Sequence, residues 1–234
     1  MVEIASRASL HAVRDQLCRG YLTVEGGHRI GLCGTVRIEQ GEVVSISRFS
    51  SANLRIARQV EGVAEDLMNK LCPNGWVRNT LIVGPPGSGK TTLLRDVIRC
   101  LSDGIGCQSH RTALSDDRGE VAAMRDGIAQ LNVGTHTDIM EGGHKSRNLM
   151  IMLRTMNPQV IALDEITAPE DVETMELGIG CGVSLLATAH GEGVRSLKQR
   201  HLYRTLLEKG LFDRVVEIRR EGEKRRYQVE ELNP

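Results

Sequence analysis

The spacing of apolar residues changes its period twice in the N-terminal part of the chain. Leu10, Val13 and Leu17 recur at helical spacing and predict a short helix over residues 9–18. Strand-like segments separated by glycine-containing turns follow at residues 21–24, 28–32, 35–38 and 43–46. An apolar stripe of helical period then returns over residues 50–71. These elements predict a small α+β domain over residues 1–72, built from an antiparallel meander and a helix.

A turn containing proline and glycine at residues 73–75 interrupts this pattern and marks the expected domain boundary. Beyond it, short apolar segments alternate with helical ones, which is typical of a parallel sheet covered on both faces. The predicted strands are residues 80–83, 111–114, 160–163 and 183–187, and the predicted helices are residues 91–101, 144–156 and 169–177. Two charged segments, residues 214–218 and 225–229, predict a hairpin at the sheet edge. Residues 76–234 are therefore expected to form one α/β domain.

One segment of this second domain matches a phosphate-binding motif in full. The chain reads Gly84-Pro85-Pro86-Gly87-Ser88-Gly89-Lys90-Thr91, which fits G-x-x-x-x-G-K-[ST] between a predicted strand and a predicted helix. Its glycines let backbone N–H groups face phosphate oxygens, and the helix adds its positive N-terminal end. We expect Lys90 to reach the β- and γ-phosphates, the Thr91 hydroxyl to bind Mg²⁺, and Thr92 to join the nucleotide contacts. The motif predicts ATP and Mg²⁺ as cofactors of a RecA-like P-loop core.

Two carboxylates follow the predicted strand at residues 160–163. Asp164 lies at the strand end, where a P-loop enzyme needs an acid to hold the metal ion. Glu165 is one residue further on, where a carboxylate can orient and polarise the attacking water, and this favours hydrolysis over phosphoryl transfer to a small substrate. The alternative is a pair of acids that opens the next helix, a role that suits Glu170 and Asp171 better than Asp164.

Two further groups of polar residues follow predicted strands, at the edge where ligands bind in open α/β sheets. Thr188 and His190 are expected to point at the γ-phosphate, Thr188 to orient water and His190 to sense the phosphate by a hydrogen bond. A histidine with a purely structural role is the alternative. Residues 115–120 form an acidic stretch in which Glu120 or Asp117 is a candidate for serving the metal-bound water, although such a charge run is usually an exposed turn.

Composition limits the remaining function classes. Thirty basic and thirty acidic side chains give no net charge, and only 3% of residues are aromatic, which argues against nucleic acid as a partner. The six cysteines show no zinc-ligand spacing and are expected to be reduced thiols. No apolar run has the length of a signal peptide or a membrane span, so we expect a cytoplasmic protein that associates with membranes only through partners.

Taken together, these residues resemble the stage III sporulation protein AA family, which is itself similar to the ATPases of type II and type IV secretion systems. The likeness covers about residues 21–216. It is carried by residues 26–34, residues 53–58, the P-loop, residues 116–120, residues 156–161, residues 164–166 and residues 187–190.

The resemblance implies a motor ATPase that assembles as a ring of six copies beneath a membrane channel of the engulfed forespore. In such families the acidic stretch and the later histidine are functional boxes, matched here by residues 116–120 and His190. Arginines of the smaller domain lie near nucleotide in these rings, and Arg37, Arg55 and Arg58 are the candidates, the last two placed on one face of the predicted helix. Ordinary solvated arginines are the alternative.

Three positions depart from the pattern of the family. Asp117 and Gly119 stand where glutamate and serine are expected, and Thr167 stands where glycine is expected.

Two other functions remain open at this point. A nucleic-acid-dependent RecA-like ATPase would share the same core, whereas a GTPase switch would need an N-K-x-D motif, which the sequence does not contain.

Overall fold

The computed structural model describes residues 14–222 and 224–232, and its contacts divide the chain into two compact units. The first unit comprises residues 1–59 and 122–131, and the second comprises residues 60–121 and 132–234. This division differs from the expected boundary at residues 73–75, since it groups residues 60–72 with the P-loop unit. None of the helices among the described residues combines the length and the apolar character needed to cross a membrane.

The first unit is built on a three-stranded antiparallel sheet in the order β1-β2-β3. Helix α1 (Arg14–Cys18) precedes β1 (Tyr21–Thr23), and β2 (Arg29–Glu39) and β3 (Glu42–Arg55) form a long hairpin. Its two-residue turn has positive φ at Gln40 (52°) and Gly41 (85°), the backbone that matches the twist of the flanking strands. The predicted meander is confirmed, but the segments 28–32 and 35–38 are one strand. The part of the predicted first helix at residues 9–13 lies outside the described residues.

The helix predicted over residues 50–71 is wrong for residues 50–64. Residues 51–55 continue β3 and pair with residues 29–33 of β2, in a register that runs from Cys33 opposite Ser51 to Arg29 opposite Arg55. The helix α2 spans only Glu65–Leu71. Gly62, with φ of +83°, lies in the left-handed region before it, and this backbone prevents a continuous helix.

The second unit contains a seven-stranded sheet in the order β12-β11-β4-β10-β9-β5-β8. All its strands are parallel except β12, which runs antiparallel to β11. The strands are β4 (Thr80–Gly84), β5 (Thr112–Asp116), β8 (Thr137–Glu141), β9 (Val160–Leu163), β10 (Ser184–His190), β11 (Arg214–Glu221) and β12 (Lys224–Glu231). The four predicted strands and the charged edge hairpin are confirmed, whereas β8 was not predicted. A short hairpin of β6 (Met124–Arg125) and β7 (Ile128–Ala129) belongs to the first unit.

Helices cover both faces of the large sheet. Alternate strand residues such as Leu81 and Val83 join one core cluster with α4 (Lys145–Thr155), α5 (Pro169–Gly180) and α7 (His201–Glu208). The strand residues between them, such as Ile82, point to the other face, where α3 (Lys90–Asp103) contacts β4, β5 and β10. The three predicted helices of this unit are thus confirmed, and α6 (Val194–Lys198) and α7 are additional. This is the α/β architecture that was expected, with the carboxyl ends of six adjacent parallel strands at one edge.

Candidate functional site

The phosphate-binding segment forms a tight turn between β4 and α3. Gly84 is the last residue of β4, and α3 begins at Lys90 with Thr91 and Thr92 in its first turn. Gly89, the residue before the helix, has φ of +101°, which favours glycine. A methyl group added at Gly84 would lie 2.5 Å from the Ser88 hydroxyl oxygen, so the turn leaves no space for a side chain there. The strand, loop and helix therefore have the arrangement that a P-loop requires.

The Lys90 ammonium group lies inside the curl of this loop. Its Nζ donates to the carbonyl oxygens of Gly84 at 2.9 Å and Pro85 at 3.0 Å, and it contacts Nδ1 of His190 at 2.9 Å. Burial lowers the pKa of Lys90, and the carboxylates of Glu165 and Asp164 oppose this shift. The lysine is thus a cation held between its own loop and the ends of β9 and β10.

The side chains of Thr91 and Asp164 form a pair of oxygen donors across the sheet. The Thr91 hydroxyl donates to Oδ1 of Asp164 at 3.2 Å. Burial raises the pKa of Asp164 to about 7, the negative charges of Asp116 and Glu120 add to this rise, and the hydrogen bond from Thr91 opposes it. Such a hydroxyl and carboxylate fit Mg²⁺, which accepts one or two protein oxygens and takes its other ligands from phosphate and water. Within the described ranges, no group of three or more His, Cys, Asp or Glu side chains is placed to hold a metal ion by itself.

His190 connects the lysine to the second acid. Its Nε2 lies 3.2 Å from Oε1 of Glu165, while its Nδ1 receives the hydrogen bond from Lys90. Burial and the charge of Lys90 lower the pKa of His190, although Glu165 opposes the shift. We therefore assign the neutral tautomer with its proton on Nε2, which donates to Glu165. The other carboxylate oxygen of Glu165 lies 3.4 Å from Nη1 of Arg118, so both oxygens are engaged.

The acidic stretch at residues 116–120 is folded around a buried carboxylate and is more than an exposed turn. Asp116 is fully buried and accepts hydrogen bonds from the backbone N–H groups of Glu120 and Val121, both at 3.0 Å. Arg95 of α3 donates to the carbonyl oxygens of the same two residues at 2.8 and 2.6 Å. The loop is therefore fixed beside α3, with the charge of Glu120 near enough to raise the pKa of Asp164.

Lys145 is a residue of this region that the sequence did not identify. Its side chain is only 6% exposed, and its Nζ donates to the Glu165 carbonyl oxygen and, at 3.0 Å, to the Thr167 hydroxyl. The same Nζ lies 3.7 Å from carboxylate oxygens of both Asp117 and Asp171. The one available signal was its position at the start of α4, where a lysine is unfavourable unless it has another role.

Two expectations about individual residues are not met. Thr188 is 1% exposed, and its hydroxyl donates to the carbonyl oxygen of Asp164, so it holds β9 to β10 and does not point at a phosphate. Arg55 and Arg58 do not share a helical face, because Arg55 ends β3 and Arg58 follows it in an irregular segment. Arg37 lies on β2 and pairs with Glu39 at 2.6 Å, with 72% of its side chain exposed. All three arginines belong to the first unit, and their role stays a prediction.

Solved structures with a similar fold include a pilus retraction motor and an ATPase. The chain is similar to the pilus retraction motor PilT with bound ADP, with a TM-score of 0.58 and 18% identity over 88% of this chain and 60% of that one. It is also similar to the ATPase DotB of Yersinia pseudotuberculosis, with a TM-score of 0.58 and 14% identity over 99% of this chain and 67% of that one. At such identities the likeness shows the fold alone, which these structures share with this chain.

Sequence comparison reaches further than the fold. The family model described as sporulation stage III, protein AA, matches residues 1–229. The chain is 40% identical to stage III sporulation protein AA of Bacillus subtilis over 216 residues, which cover 92% of this chain and 70% of that protein. It is also 28% identical to the uncharacterized protein ycf45 of Porphyra purpurea over 173 residues, or 73% of this chain and 28% of that protein. The chain therefore belongs to the sporulation stage III protein AA family.

Proposed function

We propose that this protein binds ATP with Mg²⁺, hydrolyses it, and works as a motor of the secretion-ATPase type during endospore formation. The observation that carries the proposal is the meeting of Lys90, the Thr91 and Asp164 pair, and Glu165 at the carboxyl ends of three adjacent parallel strands. Ligands bind at this edge in open α/β sheets. A fortuitous glycine-rich turn would not bring these four side chains together.

Each side chain has a role that follows from its contacts. Lys90 exchanges its bonds to the loop carbonyls for bonds to phosphate oxygens, and its charge is favoured there because the two acids already oppose the cost of burial. Thr91 and Asp164 would hold Mg²⁺, and the bound ion would neutralise negative charge on the phosphates. Glu165 polarises the attacking water. His190 senses the γ-phosphate, and its hydrogen bond to Glu165 links the position of that carboxylate to the presence of the phosphate.

Similar proteins support the wider part of the proposal. PilT is a pilus retraction motor whose structure contains ADP, and DotB is an ATPase. The name of the family refers to sporulation. We infer that this chain energises a secretion-like channel in the membrane, as a cytoplasmic protein that reaches the membrane only through protein partners.

Assembly into a ring of six copies is part of the same proposal. The three-stranded sheet of the first unit exposes several large apolar side chains, which a monomer would leave in water. Among them are Val36 (49% exposed), Ile38 (60%), Val43 (37%), Phe49 (44%) and Leu54 (59%). Burial of this surface against another copy would favour self-association. Arg37, Arg55 or Arg58 would then lie near the nucleotide bound to a neighbouring copy.

The central test separates nucleotide binding from turnover. Lys90→Ala should abolish ATP binding measured by calorimetry, because the motif loses the ammonium group that reaches the β- and γ-phosphates. Glu165→Gln should retain binding and lower the hydrolysis rate about a hundredfold or more, since it keeps the shape and removes the charge that polarises water. Glu170→Gln is the matched control, because this exposed acid lies in the first turn of α5 and should leave both quantities unchanged.

Other results would redirect the proposal. Normal turnover of the Glu165→Gln protein would show that the base lies elsewhere, and Glu120 would be the next candidate. Stimulation of turnover by single-stranded DNA or RNA would favour a nucleic-acid-dependent ATPase. The absence of heat on titrating ATP into folded protein would refute nucleotide binding altogether.

A further inference from the structure

The edge hairpin extends past the end of the strand that carries the P-loop. β11 runs parallel to β4, with Glu217 opposite Val83, and continues to Glu221. β12 returns antiparallel from Lys224, so the turn of the hairpin projects beyond the carboxyl edge of β4. The two elements touch, since a methyl group added at Gly84 would lie 3.3 Å from Cβ of Ile218.

Arg225 is the residue of this hairpin that reaches the phosphate-binding turn. A methyl group added at Gly89 would lie 3.0 Å from Nε and 3.1 Å from Cζ of Arg225. Tyr227, two residues further along β12, lies on the same face and interacts electrostatically with Arg225 and with Asp96 of α3. Arg226, between them, points to the opposite face. The guanidinium group therefore lies over the start of α3.

The charge of Arg225 has no compensation in this position. Arg219 pairs with Glu217 and Arg226 pairs with Glu221 at 2.8 Å, but Arg225 makes no ion pair or side-chain hydrogen bond to any residue within 14–222 or 224–232. Its guanidinium group faces the positive N-terminal end of α3 and contacts the loop that also surrounds the Lys90 ammonium group. Three positive groups around one turn are favourable only with an anion among them.

We propose that Arg225 is a phosphate-binding residue of the nucleotide site, supplied by the same chain through its C-terminal hairpin. The inference rests on the proposed function, because it takes the nucleotide polyphosphate as the anion. Backbone N–H groups of such a loop hold the α- and β-phosphates, while its lysine reaches the β- and γ-phosphates. Arg225 lies on the loop backbone at Gly89, so its guanidinium donates to the α- and β-phosphate oxygens, which ADP and ATP share.

Calorimetric Kd values for ADP and ATP test this assignment. Arg225→Gln should raise the Kd for both nucleotides about tenfold or more, because a hydrogen bond to a charged group is lost. Arg225→Lys should recover part of the affinity, since it restores the charge without the two-pronged geometry. The control is Arg226→Gln, which removes the same charge from the opposite face of the strand and should change either Kd less than about twofold. Thermal unfolding without nucleotide should be the same for the three variants as for the wild type, because both arginines are exposed.

The outcomes separate this inference from the function on which it rests. If the wild type binds ADP and the Arg225→Gln protein binds it equally well, the assignment of Arg225 is overturned and the P-loop proposal stands. Equal weakening by Arg226→Gln would also overturn it, because a general effect of charge would then explain the loss. Weakening of ATP alone would overturn the placement on the α- and β-phosphates. A wild-type protein that binds neither nucleotide would refute the proposed function together with this inference.

Discussion

Asp164 is a carboxyl group whose surroundings oppose its ionisation. It is 5% exposed, and the nearby negative charges of Asp116 and Glu120 add to the cost of burial. With its pKa raised to about 7, the folded protein holds a proton here over a pH range in which the unfolded chain has released it. A divalent cation would remove this opposition, since it supplies the positive charge that the site lacks.

The free energy of unfolding of the ligand-free protein should depend on pH because of this bound proton. Between about pH 4 and pH 7 the Asp164 contribution should lower the free energy of unfolding as pH rises, because the folded state binds more protons than the unfolded state. Asp164→Asn should remove that part of the slope and at pH 8 stabilise the protein by up to about 4 kcal/mol. Urea unfolding at pH 5 and pH 8 measures both effects. Glu173→Gln, an exposed acid of α5, is the control, and an unchanged slope in Asp164→Asn would contradict the raised pKa.

The predictability of these side chains depends on how local their partners are. The P-loop is read from eight consecutive residues, so its geometry follows from the sequence alone. Lys145 escaped prediction because its partners lie in two other parts of the chain, with Asp117 in one and residues 165–167 and Asp171 in the other. Thr188 was misjudged for the same reason, since the carbonyl that it contacts belongs to the neighbouring strand.

Helix α2 shows why one element was predicted with the wrong start. The apolar spacing at Leu54, Ala57 and Val60 suits a helix, but pairing with β2 keeps the first of these residues in a strand. Ala64, the residue before α2, offers no side-chain cap. Its backbone N–H instead donates to Asp96 of α3 at 2.7 Å, and no local pattern reveals a cap supplied by another helix.

Removal of this cap should destabilise the second unit. Asp96 is 1% exposed and also accepts hydrogen bonds from the backbone of Gly62 at 3.2 Å and from Nε of Arg99 at 2.7 Å. Asp96→Ala should lower the free energy of unfolding by about 3 kcal/mol, because a buried cation and two backbone donors lose their acceptor.

Asp66→Asn is the control for this substitution in urea unfolding. Asp66 is exposed in the first turn of α2, where its charge only favours the helix dipole, and its loss should cost about 0.5 kcal/mol. A similar small cost for Asp96→Ala would show that α2 does not depend on α3 for its N-terminus.

The whole molecule combines an expected core with a less expected surface. The α/β core, its strands and its edge hairpin follow from apolar periodicity, because buried parallel strands have a strong and local signal. The exposed apolar surface of β2 and β3 does not follow from this periodicity. Alternation of apolar and polar residues tells which residues share a face of a strand, but it does not tell what covers that face.

Assembly should depend on this face. Ile38→Lys should lower the molar mass measured by light scattering in the presence of ATP and Mg²⁺, because a charge would have to be buried between copies. Its Kd for ADP should remain within about twofold of the wild-type value, since the nucleotide site of the second unit is unchanged. Thr35→Lys, an exposed residue of the same strand, is the control for added charge. A wild-type protein that stays monomeric under all nucleotide conditions would contradict the ring.

Both oxygens of Glu165 have partners before any nucleotide arrives, one in His190 and the other in Arg118. In the proposed hydrolysis, the attacking water would therefore meet a carboxylate whose two oxygens already have polar neighbours. A shift of Arg118 or His190, caused by a neighbouring copy or a membrane partner, would leave one of these oxygens to the water alone. The rate of turnover would then depend on contact with that partner.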